Sequence, residues 1–130
     1  MRHKRVLKTK SFGRWARKLL ADKLLCAAAA EIEQGRFEAD LGGGVCKKRI
    51  ALPGKGRSGS TRTLVAHQVR TAIVFLVGRE KSQPGGDFSI QDEEAAKVIA
   101  AAVKTTEATS FEPLVSGGFL MEICDGKESR

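Results

Sequence analysis

Lys47-Lys48-Arg49 sets three cations in a row inside an apolar, β-rich segment, Val45 to Leu52. A glycine-rich basic run follows, Gly54-Lys55-Gly56-Arg57-Ser58-Gly59, and then Arg62. Arg79 and Lys81 come after a second apolar segment that ends at Val77. Guanidinium and ammonium groups grip phosphate oxygens, so a cluster of them is a candidate footprint for a phosphate backbone. In a strand, Lys47 and Arg49 share one face while Cys46, Ile50 and Leu52 share the other. Lys48 then falls on the apolar parity, with its stem at an edge and its ammonium reaching water. The plain alternative is that each cation is solvated separately and the lysines only guard a sheet edge.

Other chemistries find less support. The G-x-G-x-x-G at residues 54–59 binds dinucleotides only where it leaves a strand and opens a helix, and here β-branched residues follow it. It reads better as a basic hairpin loop whose backbone amides, with Lys55 and Arg57, approach a phosphate. No G-K-[S/T] completes a Walker pattern, and no G-x-S-x-G marks a nucleophile. His3 and His67 are well separated, with no carboxylate pattern beside either, and suit a terminal arm and a turn. Cys26, Cys46 and Cys124 are odd in number, far apart and outside any C-x-x-C pattern. Neither a zinc site nor a disulfide framework is therefore indicated, and a reducing cytoplasm is expected. No cofactor and no metal is expected. Trp15 is read as core, and at 5% aromatic residues with no tyrosine, base stacking is not expected to dominate nucleic-acid binding.

The 130 residues carry a net charge of +8, unevenly placed. Residues 1 to 81 hold 19 basic against 6 acidic residues, and residues 82 to 130 hold 4 against 9. An anionic partner is expected, with residues 45–81 as its footprint. No apolar run reaches the roughly 18 residues of a membrane span. Met1 to Lys10 lacks the apolar core of a secretory leader, so no membrane partner is expected.

Periodicity supplies the elements that must position these residues. Lys4 to Thr9 reads as a first strand. Ser11 is placed to cap a helix in which Phe12, Trp15, Ala16 and Leu19 form an apolar stripe. A second helix, about Ala21 to Gln34, stops at Gly35. Asp40 to Gly44 reads as a turn. Strands follow at Val45 to Leu52, Thr61 to His67 and Thr71 to Val77, the last apolar on both parities as for a strand buried on both faces. Ser89 and Asp92 cap a helix to about Thr105, with Ala95, Val98, Ile99 and Ala102 expected inward. Thr109 and Ser110 are placed to cap a short helix with Pro113 in its first turn, ended by Gly117-Gly118, before a closing strand from Phe119 to Ile123. The order predicts one α+β two-layer domain over residues 1–124, with a disordered tail at 125–130. Its sheet is expected to be antiparallel with three to four strands, covered on one side by two N-terminal helices and the C-terminal helices.

These segments resemble HigB-like members of the RelE/ParE superfamily, toxins of type II toxin–antitoxin systems. The likeness is carried by Thr9-Lys10-Ser11-Phe12 with Trp15-Ala16-Arg17-Lys18, by Ala39 to Gly44 leading into Lys47-Lys48-Arg49, and by Pro53 through Leu64. Phe75-Leu76-Val77-Gly78 with Lys81-Ser82, and Leu114 to Ile123, extend it. The resemblance implies a RelE-like domain that cleaves messenger RNA, commonly on the ribosome. It implies Lys47, Arg62, Arg79 and Lys81 as catalytic, the two arginines stabilising charge and a lysine moving protons. Lys48, Arg49, Lys55 and Arg57 are then expected to grip the RNA backbone. The implied partners are messenger RNA, the ribosome and a cognate antitoxin with a helix-turn-helix domain, through which alone operator DNA is reached. Thr61 stands where the family places an aromatic residue, the C-terminal tyrosine of some relatives is missing, and residues 83–88 differ. These departures leave open a non-enzymatic toxin of the same fold acting on a protein such as DNA gyrase, and an inactive nucleic-acid-binding relative.

Overall fold

The computed structural model describes residues 4–54, 59–80, 87–104 and 108–124. Six strands form one sheet: β1 (Arg5–Thr9), β2 (Ala39–Gly42), β3 (Val45–Ala51), β4 (Ser60–Ala66), β5 (Ala72–Glu80) and β6 (Leu120–Ile123). Their order is β2-β3-β4-β5-β1-β6. Helices α1 (Lys10–Ala16) and α2 (Asp22–Glu33) cover one face. Helices α3 (Ile90–Val103) and α4 (Glu112–Ser116), the latter entered through a 3₁₀ turn at Ala108–Phe111, belong to the other.

The α+β class holds, but three of its expected details are corrected. The domain has three layers rather than two. The sheet has six strands rather than three or four. It is mixed rather than antiparallel, because β1 runs parallel to β5 and antiparallel to β6. The cause of the third layer lies in β5, whose residues Ala72 to Leu76 are all buried, so both of its faces need cover. Strand alternation sorts two cores. Val6, Cys46, Ile50, Val65 and Phe75 pack with α1 and α2, while Leu7, Val45, Leu64, Val74 and Leu76 pack with α3 and Phe111. The segment read as a bare turn at residues 40–44 carries edge strand β2, and positive φ at Gly42, Gly43 and Gly44 reverses the chain into β3.

Helix α1 is capped by Thr9, not Ser11; the Thr9 hydroxyl accepts from the Phe12 amide at 3.1 Å. Its apolar stripe docks as predicted, with Phe12 meeting Trp15 and Phe75 at ring separations of 5.3 Å each. Trp15 lies over Gly78 of β5, where any Cβ would collide with the indole. Gly35, at φ 80°, ends α2.

Helix α3 has the predicted capping box between Ser89 and Asp92, but its rotation differs. Ala96 and Ala100 face the sheet, while Ala95, Val98, Ile99 and Ala102 face outward, Val98 being 70% exposed. The two small residues let the helix seat closely: the Lys97 stem lies against Gly43, and the Ala100 methyl against Gly44. Valine and isoleucine at that interface would hold the helix off. Phe111, rather than Ser110, takes the capping position of helix α4, without a side-chain hydrogen bond; the Thr109 side chain lies outside what is described, and Pro113 sits in the first turn as expected.

Cys26 of α2 and Cys124, just past β6, form a disulfide, with Cα atoms 5.5 Å apart and a separation of 98 in sequence. This overturns the expectation of unlinked cysteines. Their contact is made by tertiary packing of α2 beside β6, which sequence spacing does not encode. Cys46 is free and buried. Among the described residues, no helix is long and apolar enough to cross a membrane.

Candidate nucleic-acid interface

Three neighbouring strands bring Arg49, Arg62 and Arg79 into one row. Arg49 of β3 stands opposite Arg62 of β4, and Arg62 stands opposite Arg79 of β5. Alternation puts all three on the α3 face, and Lys47 joins them two residues before Arg49. A single-residue bulge makes the row possible. Val65 pairs with Phe75, but Leu64 pairs with Val77, so Leu76 is an extra residue on β5. Without it Arg79 would pair with Thr61 and face the α1–α2 side.

Like charges directly opposite one another weaken a sheet, so a row of three arginines is not what stability alone selects. Asp87, in the lead-in to α3, offsets part of the repulsion. Its Oδ2 lies 2.7 Å from Lys47 Nζ, and its backbone carbonyl accepts from Arg79 Nη1 at 2.7 Å. Burial works to raise the Asp87 pKa. Hydrogen bonds from Lys47 and the Phe88 amide, with the charges of Lys47 and Arg62, outweigh it and hold the carboxyl below its ordinary value. Asp87 escaped sequence reasoning; the available signal was a lone acid two residues before the Ser89 cap.

The remaining predicted site residues fall elsewhere. Lys48 is 6% exposed and points to the α2 side. Its Nζ contacts Glu31 Oε1 at 2.7 Å and the Arg36 carbonyl at 3.0 Å, so it is not brought to the arginine row. A hydrogen bond from Lys48, with its charge, holds the Glu31 carboxyl below its ordinary value. Lys55, Arg57 and Lys81 lie outside the described residues, as does His3. The hairpin that carries the glycine-rich loop is as predicted, joining antiparallel β3 and β4. Thr61 is fully buried on the α1–α2 face, its hydroxyl donating to the Ile50 carbonyl at 2.8 Å. His67 lies past the far end of β4 from Arg62, against the Phe37 ring at 5.0 Å and with Nε2 4.0 Å from Asp40. Burial pushes its pKa down.

Adjacent strands are about 4.8 Å apart, so neighbouring arginine forks can reach the same phosphate group. Among the described residues, Lys47, Arg49, Arg62 and Arg79 share this face with the Asp87 carboxylate. Fold and site together define a small basic α+β protein whose charged sheet face is suited to an anionic ligand. The family model described as the RelE toxin of the RelE/RelB toxin–antitoxin system matches residues 4–123, and the chain belongs to this family. Membership implies a cognate antitoxin as partner. No curated protein matches the chain.

Proposed function

We propose that this toxin is a HigB-like endoribonuclease that cleaves messenger RNA on the ribosome, in the cytoplasm, through the cations of β3, β4 and β5. The observation that carries this reading is the cross-strand row Arg49–Arg62–Arg79 with Lys47 beside it. In the reaction, the RNA 2′-oxygen bonds to the adjacent phosphorus as the 5′-oxygen leaves. The products are a 2′,3′-cyclic phosphate and a 5′-hydroxyl; one proton leaves the 2′-hydroxyl and one reaches the departing oxygen. Arg62 and Arg79 stabilise the charge on the phosphoryl oxygens. Arg49, the most exposed of the three, holds the neighbouring backbone. Lys47, hydrogen-bonded to Asp87, is the described group suited to proton transfer, and Lys81 shares that role. Lys55 and Arg57 add backbone contacts from the hairpin loop. The antitoxin supplies a helix-turn-helix domain for operator binding.

The test is cleavage of a messenger on purified ribosomes by wild type and Arg62→Ala. A loss of about 10²-fold or more is expected for a stabiliser of transition-state charge. Equal cleavage by the two proteins removes Arg62 from the mechanism. Arrested growth with intact messages rejects the nuclease reading as a whole.

A further inference from the structure

Cys26 and Cys124 are half-buried, whereas Cys46 is sealed in the core. The cross-link is therefore the sulfur chemistry that a small thiol can reach. Its placement decides what reduction does. Cys124 directly follows β6, a four-residue strand at the edge of the sheet that pairs with β1 alone. Ile123, the last residue of β6, is buried in the same core as Leu25 of α2. Arg5 adds ion pairs to Glu122 at 2.8 Å and to Glu112 at 3.1 Å, but both carboxylates reach water, and such pairs hold weakly.

The backbone points the same way. Cys124 lies at φ 59°, and among the described residues it alone, besides glycines, has a positive φ. An L-residue enters that region at a cost and stays there when its surroundings enforce it. Here the covalent tie to α2 enforces it. Once the sulfurs part, Cys124 is free to return to extended backbone, and Ile123 loses the anchor beside it.

We infer that the Cys26–Cys124 bond is a reversible thiol–disulfide latch, which holds β6 shut when oxidised and lets it open when a dithiol reduces it. A thiolate of the dithiol attacks one sulfur, and the other leaves as a thiolate and takes up a proton. The second thiol of the reductant then loses its proton and attacks the mixed disulfide. The remaining cysteine departs as a thiolate and is protonated in turn. Two electrons pass to the protein, the reductant ends as a disulfide, and protons released equal protons taken up. Opening is local, because β6 is a short edge strand while β4 lies inside the sheet. With β6 away, the edge of β1 that it had paired, Val6 to Thr9, faces solvent, and the frayed strand is open to proteolysis. The oxidised toxin persists and the reduced toxin is cut. The latch goes beyond RNA scission and does not depend on it, since the arginine row lies on β3 to β5.

Amide exchange on the intact chain, read by mass spectrometry without denaturant, compares the oxidised protein, the protein held in dithiothreitol, and Cys124→Ser. Uptake at residues 120–123 is expected to rise about tenfold or more in the reduced protein and in the variant, while residues 60–66 stay protected over the same minutes. Chymotrypsin should cut after Leu120 in the reduced protein and spare that bond in the oxidised one. Reoxidation by a low-molecular-weight disulfide should restore protection in wild type, and dithiothreitol should leave Cys124→Ser unchanged. Each of three results overturns the latch. In the first, the bond survives dithiothreitol in the folded protein. In the second, exchange at residues 120–123 or cutting after Leu120 is the same in both redox states. In the third, residues 60–66 lose protection together with β6, which makes the bond a staple of the whole domain. None of these readouts uses RNA, so the nuclease reading stands or falls separately.

Discussion

Removing the Cys26–Cys124 cross-link, by the double substitution Cys26→Ala/Cys124→Ala, is expected to cost a large share of the protein's stability. The bond joins positions 98 apart, so it closes most of the chain into one loop. The chain-entropy treatment of such a loop gives about 4.7 kcal/mol at 25 °C as a ceiling, and native cross-links typically contribute about 2–4 kcal/mol. Against a total stability of about 5–15 kcal/mol, that loss is substantial. Equilibrium urea unfolding of the oxidised wild type and the double variant measures it directly. The slope of the transition should also steepen in the variant, because its unfolded chain expands further. Thiol titration gives an independent check. Burial pushes the Cys46 thiol up to about 12, so the native oxidised protein should show no fast-reacting thiol and the denatured one a single thiol. A stability difference below about 0.5 kcal/mol, far under the typical range, or three thiols titrating in the unreduced denatured protein, would refute the reasoning.

Four further outcomes are expected. Glu31→Ala should destabilise by about 1–3 kcal/mol, since it leaves the buried Lys48 ammonium with the Arg36 carbonyl but no counter-charge, whereas Lys48→Met should be near neutral or stabilising; denaturant midpoints giving the reverse order would contradict this. His67 has a depressed pKa in the folded protein, so its contribution is fully present above its unfolded value of about 6.5 and is lost as pH falls from there towards the folded value. Stability measured at pH 7.5 and 5.5 should therefore fall more in wild type than in His67→Gln. Gly78→Ala should cost about 1–3 kcal/mol by displacing the Trp15 indole, and should shift the emission of the chain's one tryptophan; an unchanged spectrum and melt count against the packing described. Asp87→Asn should tighten binding of a 2′-deoxy oligonucleotide severalfold at low salt by removing the carboxylate beside Lys47, and weaker binding would show that Asp87 orders the cations instead of opposing them.

The arginine row was legible in part because strands β3 and β4 read cleanly: alternation alone put Lys47 and Arg49 on one face. Its third member depended on the Leu76 bulge, which nothing in an all-apolar run announces, since either register leaves an apolar residue against each core. The buried partner of Lys48 was equally hidden, because Glu31 comes from α2 and meets it only through packing. For α3 the most apolar stripe was a misleading guide. Closeness to Gly43 and Gly44 favours Ala96 and Ala100, and leaves the larger side chains in water. The sixfold sheet was missed because β2 hides in a glycine-rich turn and β1 pairs with strands at the far end of the chain. Helix ends were the most readable features, since Gly35 and the Ser89–Asp92 box act within a few residues of themselves.

The place of β1 bears on when the toxin becomes dangerous to the cell that makes it. The earliest of the described strands in chain order, β1, is an inner one, seated between β5 and β6, and Arg5 ties it to Glu122 at 2.8 Å. At about 5–20 residues per second, translation takes on the order of ten seconds to travel from β1 to β6. Throughout that interval the amino-terminal segment has no final partner on one side, and contacts between chain ends are the slowest to form. Product that stops short of β6 therefore leaves the sheet open, and a partner already present when β6 emerges can meet the sheet as it closes.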